Sequence, residues 1–199
     1  MCIQNDNVCR GCFFCRSGTE TEIVQRFRNE FPDSRAIFPT YTRYRRTKDG
    51  AFEEHVPLLP GYVFFEMEIV EGAIPSARNG ASAQRSMDAE IVLLNFCHTA
   101  HVLKLLRYTN QDWRLHGSDD TFAKVLFEAE GNIDTSQAYF DEGDRIRILS
   151  GFLKDYEGSI TRVNRKNRTV EVCVDLQDKK VTMKLGYELV SAVKETPAT

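Results

Sequence analysis

The 199-residue sequence contains no apolar stretch long enough to cross a membrane, and its first residues lack the apolar segment of a secretion signal. It also lacks an excess of positive charge, since 26 Lys and Arg residues stand against 29 Asp and Glu residues and give a formal net charge of -3. This balance excludes nucleic-acid binding driven by bulk positive charge, so any such binding requires local clusters. We therefore expect a cytoplasmic protein that does not enter a membrane.

Motifs that mark common catalytic sites are missing as well. The sequence has no glycine-rich phosphate-binding loop, no zinc-binding H-E-x-x-H motif and no convincing Ser/His/Asp order. His98 and His101 lie three residues apart beside Cys97, but no fourth ligand completes a metal site there. The sequence therefore predicts a protein that is not an enzyme, that binds no cofactor and that has no metal site at these histidines.

Three of the six cysteines have a spacing that is found in iron-sulfur proteins. Cys9, Cys12 and Cys15 form C-x-x-C-x-x-C, but the fourth cysteine and the proline that follow in bacterial ferredoxins are absent. If this segment is a strand, Cys12 and Cys15 point to opposite faces of the sheet. Buried thiols and a metal or cluster site are both open interpretations, and the spacing favours the thiols.

Hydrophobic periodicity divides the chain near residue 132. Before this point the pattern alternates between strands and helices, and a capping box at Thr19 to Glu22 marks the first helix start. The predicted elements are a strand at 12–16, a helix that Pro32 ends, a long hairpin at 35–68 with its turn at 48–50, a loop insertion at 68–86, a helix at 88–98 capped by Asp88, a strand at 102–108 and a helix from Ser118 to near Gly131.

After a predicted linker at 132–137 the pattern changes to short strands. Apolar residues alternate with polar ones, and the predicted strands are 145–149, 159–164, 169–175 and 180–185. In the second of these, Ile160 and Val163 fall on opposite faces, which predicts a bulge. Several short strands within so few residues predict a small β-barrel.

Three segments carry a resemblance to the NusG family of transcription elongation factors. EGDRIRILSGFLKDYEGSITRVNRKNRTVEV at 142–172 resembles a KOW motif, and FFCRSGTE at 13–20 and PLLPGYVFFE at 57–66 resemble the N-terminal (NGN) domain of that family. The resemblance covers about residues 12–193, except for the 68–86 insertion.

The resemblance implies an α+β fold with two domains. An NGN-type α/β sandwich domain at 12–131 is followed by a linker at 132–138 and by a small SH3-like β-barrel (KOW) domain at 139–193. It also implies a monomer that binds RNA polymerase by gripping the clamp helices with an apolar surface. The positions that match this surface are Phe14, Leu59, Tyr62 and Phe64, although each of them could also be a core residue.

Departures from the family pattern favour a specialised paralogue. Arg10 and Gly11 stand where the family has Trp-Tyr, and 176–179 replaces a Phe-Gly-Arg turn. The chain resembles antiterminators of the LoaP and RfaH kind, which implies suppression of pausing and termination at specific operons. The alternatives are a housekeeping NusG-type elongation factor and, from another class, a KOW-type ribosome-binding or RNA-binding protein.

Two basic clusters are candidate contacts for non-template DNA or nascent RNA. The first, at the hairpin tip and interleaved with Tyr41 and Tyr44, consists of Arg43, Arg45, Arg46 and Lys48. The second, around a barrel turn, consists of Arg162, Arg165, Lys166 and Arg168. A solvated turn is the alternative for each cluster. The resemblance leaves the KOW domain a further partner, either a ribosomal protein or a termination factor.

Overall fold

The computed structural model of the protein describes residues 8–48, 50–68, 89–109 and 112–190. The helices are α1 (Glu20–Glu30), α2 (Ala89–Thr99), α3 (Ser118–Glu128) and a 3-10 helix (Phe152–Ser159). The strands are β1 (Val8–Phe14), β2 (Arg35–Ile37), β3 (Thr40–Thr47), β4 (Gly50–Pro57), β5 (Tyr62–Glu68), β6 (Lys104–Leu105), β7 (Asn132–Ile133), β8 (Ser136–Phe140), β9 (Ile146–Ser150), β10 (Ile160–Asn164), β11 (Thr169–Leu176) and β12 (Lys179–Leu189). No helix in these described ranges is long and apolar enough to span a membrane.

The chain forms two compact units, and each is assembled from three separate segments. Unit 1 contains the described residues within 1–39, 59–131 and 175–179, and unit 2 contains those within 40–58, 132–174 and 180–199. The hairpin that the sequence assigned to the first domain thus lies with the later strands. The predicted domain boundaries remain a prediction, because a compact unit is not by itself an independently folding one.

A four-stranded sheet with the order β2-β5-β1-β6 forms the centre of unit 1. Side chains alternate between its two faces, so β5 is apolar on both sides. On one face, Phe13 and Phe65 stack at 4.4 Å between ring centroids and join an aromatic core with Phe27 of α1 and Phe96 of α2. The run PLLPGYVFFE therefore contains a strand that is buried from two directions.

The turn between β11 and β12 completes unit 1. Gln177, which is 2% exposed, donates its backbone amide to Asp119 Oδ2 at 2.8 Å. Asp178 Oδ2 accepts a hydrogen bond from Thr109 Oγ1 at 3.0 Å. Since the hydroxyl of Tyr108 also donates to Asp119 Oδ2, at 2.6 Å, the buried carboxylate of α3 is held from two sides.

Unit 2 contains a five-stranded sheet with the order β10-β11-β12-β8-β9 and a three-stranded sheet with the order β4-β3-β7. The four strands predicted between residues 145 and 185 are present with small changes at their ends. Ile148, Val172, Met183 and Leu185 of the five-stranded sheet are buried, as their alternation predicts. The predicted bulge is confirmed by a register shift between Ile160 and Arg162.

The single long hairpin predicted over 35–68 is wrong. β2 pairs with β5 in unit 1, whereas β3 pairs with β4 in unit 2. The chain leaves the first pairing at Pro39 and returns to it after Pro60 and Gly61. Proline lacks the amide donor that strand pairing needs, and glycine adopts the turn conformation. These residues therefore explain where the chain leaves and rejoins the β2–β5 sheet.

Two other expectations differ from the structure, and three lie outside it. The strand predicted at 102–108 shrinks to β6, because the amides of Val102 and Tyr108 donate to Cys97 O and Asp112 O instead. The segment predicted as a linker contains β7 and the first half of β8. The 68–86 insertion beyond β5, the Asp88 cap and residues 191–193 lie outside the described residues.

Candidate functional site

The four residues predicted to contact polymerase divide into an exposed pair and a buried pair. Phe14 is 36% exposed, and it lies opposite the partly exposed Tyr62 with ring centroids 5.3 Å apart. Leu59 and Phe64 are 1% and 0% exposed, and the ring of Phe64 packs edge-on against Phe122 of α3. In this structure Leu59 and Phe64 are core residues, which corrects their assignment to a contact surface.

A buried carboxylate holds the turn next to the exposed pair. Glu20, which is 3% exposed, accepts the backbone amides of Gly18 at 2.6 Å and of Gly61 at 2.8 Å. The carbonyl oxygen of Gly61 in turn accepts the amide of Cys15 at 2.8 Å. These bonds connect the start of α1 to the P-G-Y turn, and they hold the ends of β1 and β5 where Phe14 and Tyr62 emerge.

The capping box predicted at Thr19 to Glu22 is therefore wrong in detail. Thr19 precedes α1 but makes no side-chain cap, because its hydroxyl donates to the carbonyl oxygen of Arg16 at 2.8 Å. The carboxylate that satisfies free amides is that of Glu20, and Glu22 is exposed to solvent. The sequence identified the start of the helix but not the residue that stabilises it.

The cysteine motif lies in β1 and the residue after it, and its thiols are buried or partly buried. Cys12 is fully buried, and this burial raises the pKa of its thiol well above the usual value. Burial also raises the pKa of the Cys9 and Cys15 thiols. In this environment the neutral thiol is favoured over the thiolate. Within the described ranges, no group of three His, Cys, Asp or Glu residues is arranged to hold a metal ion.

Four of the eight predicted nucleic-acid contacts line one groove in unit 2. The groove has a volume of about 560 Å³ and lies between β3 and the turn that joins β10 to β11. Its lining residues are Arg43, Tyr44, Arg45, Lys166, Asn167 and Arg168. Members of two clusters that are more than 100 residues apart in the sequence thus lie at one site, which we call the basic groove.

Three consecutive residues of β12 bring the two walls of the basic groove together. A Cβ atom on Gly186 would lie 2.5 Å from the carbonyl oxygen of Thr42, so only glycine permits this approach to β3. The amide of Tyr187 donates to the carbonyl oxygen of Arg168 at 2.9 Å. Glu188 lies close enough to Tyr44 to raise its pKa.

Most of the positive charge in the basic groove lacks an acidic partner. The guanidinium of Arg43 pairs with Glu54 at 2.8 Å between Nη2 and Oε2. Arg45, Lys166 and Arg168 form no ion pair with any residue that the structure describes. Glu53 and Glu188 also lie near Tyr44, but neither forms an ion pair with these three cations, whose charges favour an anionic ligand.

Tyr44 adds an aromatic ring to the basic groove. Its hydroxyl donates to Glu53 Oε1 at 2.9 Å, and this hydrogen bond together with the nearby charge of Glu188 raises the pKa of Tyr44 to about 12. The ring is therefore neutral at physiological pH and is held in one place. Tyr41, by contrast, is 2% exposed and is not available for stacking on a base.

The other predicted nucleic-acid residues lie outside the basic groove. Arg162 faces Glu171 at 4.0 Å and lines an adjoining cavity of about 130 Å³. Arg165 pairs with Asp144 at 2.6 Å and places its guanidinium 4.0 Å from the ring centre of Phe140, so it is engaged within the fold.

The first cluster also contains Lys48 and Arg46, and the basic groove contains one residue that the sequence did not predict. Lys48 is exposed next to the hairpin turn, and the side chain of Arg46 lies outside the described part of the structure. Sequence reasoning missed Asn167, although its position between Lys166 and Arg168 is a signal that could have found it.

The chain is similar in structure to a known protein, although no similarity was found at the level of sequence families. No protein-family model and no curated protein matches the chain. Among solved structures, the chain is similar to a NusG from Thermotoga maritima whose structure concerns domain interaction. The two share 17% sequence identity, the match covers 90% of this chain and 93% of the other, and the TM-score is 0.47.

Proposed function

We propose that this protein is a transcription elongation factor that binds RNA polymerase through unit 1. The proposal is supported by the motifs FFCRSGTE and PLLPGYVFFE, which precede a KOW-like segment. The observation that carries it is the exposed Phe14–Tyr62 pair, which lies where these two motifs meet in the fold. Exposed aromatic side chains are frequent anchors of protein interfaces, and each contributes roughly 2 kcal/mol or more at a hot spot.

The proposed mechanism is a shift between two states of the polymerase. The factor would grip the clamp helices with Phe14 and Tyr62 and bind the closed, processive state more tightly than the open one. A ligand shifts an equilibrium only through its different affinities for the two states. Pausing and termination would then decrease on the transcripts to which the factor is recruited.

The finer proposal is a specialised antiterminator rather than a housekeeping factor. Arg10 occupies a position where the family has an aromatic residue, and here its guanidinium pairs with Glu66 at 3.1 Å and with Asp120 at 3.0 Å. The ring of Phe65 lies over Gly11, so a larger residue does not fit there: a Cβ atom would lie 2.3 Å from Phe65 Cζ. The first strand of unit 1 is thus built differently from the family pattern, which supports a divergent role.

Co-elution with core RNA polymerase in size-exclusion chromatography tests the proposal. We expect the wild type to co-elute with the enzyme, and Phe14→Ser and Tyr62→Ser to lose co-elution while they remain folded, as a cooperative melting transition shows. The matched control is Phe52→Ser, because Phe52 is an aromatic residue with 45% exposure on β4. Wild-type elution apart from polymerase, or loss of binding in the control alone, would count against the proposal.

An RNA-binding protein without a polymerase role is the second candidate, and the basic groove favours it. This candidate predicts that the full chain binds RNA or ribosomes while it elutes apart from polymerase. The chromatography experiment above therefore separates the two functions.

A further inference from the structure

We infer that the basic groove is a single binding site for a single-stranded nucleic acid, formed jointly by β3 and the β10–β11 turn. The sequence suggested two separate basic surfaces, each with its own ligand. In the structure, Arg45 from one cluster and Lys166 and Arg168 from the other line the same groove. One strand therefore contacts both clusters at once.

The distribution of charge indicates a ligand with several negative groups. The three cations without acidic partners in the described structure, Arg45, Lys166 and Arg168, come from two chain segments on opposite walls. Their charges form no ion pair within the described structure, whereas Arg165 pairs with Asp144 and lies over the ring of Phe140. A sugar-phosphate backbone presents one negative charge per nucleotide and so matches several cations in succession.

The aromatic residue indicates a single strand rather than a duplex. Tyr44 lines the same groove, and its hydroxyl is held by Glu53 at 2.9 Å, so its ring does not have to be ordered when a ligand binds. Cationic grooves that carry an aromatic ring bind unpaired bases by stacking, which the paired bases of a duplex do not offer. Asn167 adds an amide with donors and an acceptor for a base edge or a sugar hydroxyl.

The position of the groove follows from the backbone and not from flexible side chains. Gly186, Tyr187 and Glu188 contact Thr42, Arg168 and Tyr44 respectively. The site is therefore present before the ligand arrives, which lowers the entropic cost of binding. This inference rests on the proposed function only for the origin of the strand, which would be the transcript or the displaced DNA strand.

Fluorescence anisotropy with the full chain tests the inference without polymerase. The probes are a labelled RNA of about eight nucleotides, the DNA of the same sequence and the corresponding DNA duplex. With three phosphates neutralised, the log-log dependence of affinity on salt should have a slope of about -2, so that binding weakens about 20-fold between 50 and 200 mM salt. Binding of RNA alone indicates the transcript as the source, and binding of DNA alone indicates the displaced strand.

One substitution from each wall shows whether the site is single. We expect Arg45→Gln and Lys166→Gln each to reduce the slope to about -1.4, so that binding to the same probe weakens only about sevenfold over that salt range. The control is Lys124→Gln, which removes one exposed positive charge from α3 in unit 1 and should leave the slope unchanged. All three positions are exposed, and an unchanged melting temperature confirms folding.

Three outcomes would overturn the inference. The first is binding to none of the probes, and the second is tighter binding of the duplex than of either single strand. The third is a wild-type slope in Arg45→Gln or Lys166→Gln, since the clusters then do not share a ligand. Because none of these measurements involves polymerase, failure here leaves the co-elution result standing, and the reverse also holds.

Discussion

Two arginines of unit 1 are ion-paired within the fold, whereas one arginine of unit 2 is not. In unit 1, Arg10 pairs with Glu66 and Asp120, and Arg35 pairs with Glu66 from the other side at 2.9 Å. In unit 2, Arg45 lines the basic groove and has no acidic partner among the described residues. The comparison teaches that the number of cations alone does not mark a binding surface. The cations of the proposed site differ in that the fold leaves most of them unpaired.

Aromatic residues show the same division within unit 1. Phe14 and Phe64 both lie on paired strands of the central sheet, and the sequence resemblance predicted both as contact residues. α3 covers Phe64 and leaves Phe14 at the surface. The same type of residue thus supports the core at one position and is available to a partner at the other.

The largest expected effect separates these two phenylalanines. Phe64→Ala should lower the free energy of unfolding by about 3–5 kcal/mol, because it removes a fully buried ring and leaves a cavity. Phe14→Ala should lower it by about 1–2 kcal/mol, because about a third of the side chain is already in water. Urea unfolding curves measure both values. Equal losses would show that Phe14 is a core residue and would remove it from the proposed interface.

The next effect separates Arg10 from Arg45. Arg10→Ala should lower the free energy of unfolding by about 2 kcal/mol, since charge-assisted hydrogen bonds to Glu66 and Asp120 are lost. Arg45→Ala should change it by no more than about 0.5 kcal/mol, because the fold makes no use of its charge. A loss of stability in Arg45→Ala comparable with that in Arg10→Ala would show that the fold uses the charge of Arg45 as well.

A third substitution alters the basic groove without touching a charge. In Gly186→Ala the new Cβ atom would meet the backbone oxygen of Thr42, so β3 must move away from β12 at a cost of about 1–3 kcal/mol. We expect weaker binding to the single-stranded probe with an intact set of cations. Gly143→Ala is the control, because a Cβ atom there meets only a side-chain oxygen of Asp141 at 3.4 Å. Unchanged probe binding in Gly186→Ala would mean that the walls act independently.

The smallest effect concerns the tyrosine of the basic groove. The hydrogen bond to Glu53 and the charge of Glu188 raise the pKa of Tyr44 to about 12. A raised folded pKa means that this hydrogen bond stabilises the fold below pH 10, the usual tyrosine pKa, and that the contribution disappears as the pH rises towards 12. Glu53→Gln should move the titration of Tyr44 towards its usual pKa in an ultraviolet pH titration. An unmoved titration would show that Glu53 does not hold the ring.

Periodicity predicted the strands after residue 145 well, and it could not assign the residues of PLLPGYVFFE. In β11 and β12 the buried residues Val170, Val172, Met183 and Leu185 stand at alternate positions, so there the pattern indicates which side chains face inward. β5 is covered on both faces, and an unbroken apolar run does not distinguish the core from a contact surface. Only the position of α3 decides that Phe64 is buried and that Phe14 is not.

The sequence shows the two basic clusters, but it does not show that they line one groove. Local composition identifies Arg45 and Lys166 as charged turn or strand residues, and it contains no information about which strands approach each other. That information lies in Gly186, whose missing side chain admits the backbone of Thr42. A single glycine within a strand pattern signals a close backbone approach, although it does not name the partner.

The turn around Gln177 has a consequence for synthesis on the ribosome. Unit 1 buries this residue against Asp119, so its packing is complete only after residue 179 has left the exit tunnel. At a translation rate of about 5–20 residues per second, the chain from α3 onwards takes several seconds to emerge. During that interval the carboxylate of Asp119 lacks the backbone amide that holds it in the finished protein. Unit 1 therefore begins to fold first and is finished only after residues 132–174 of unit 2 have been synthesised.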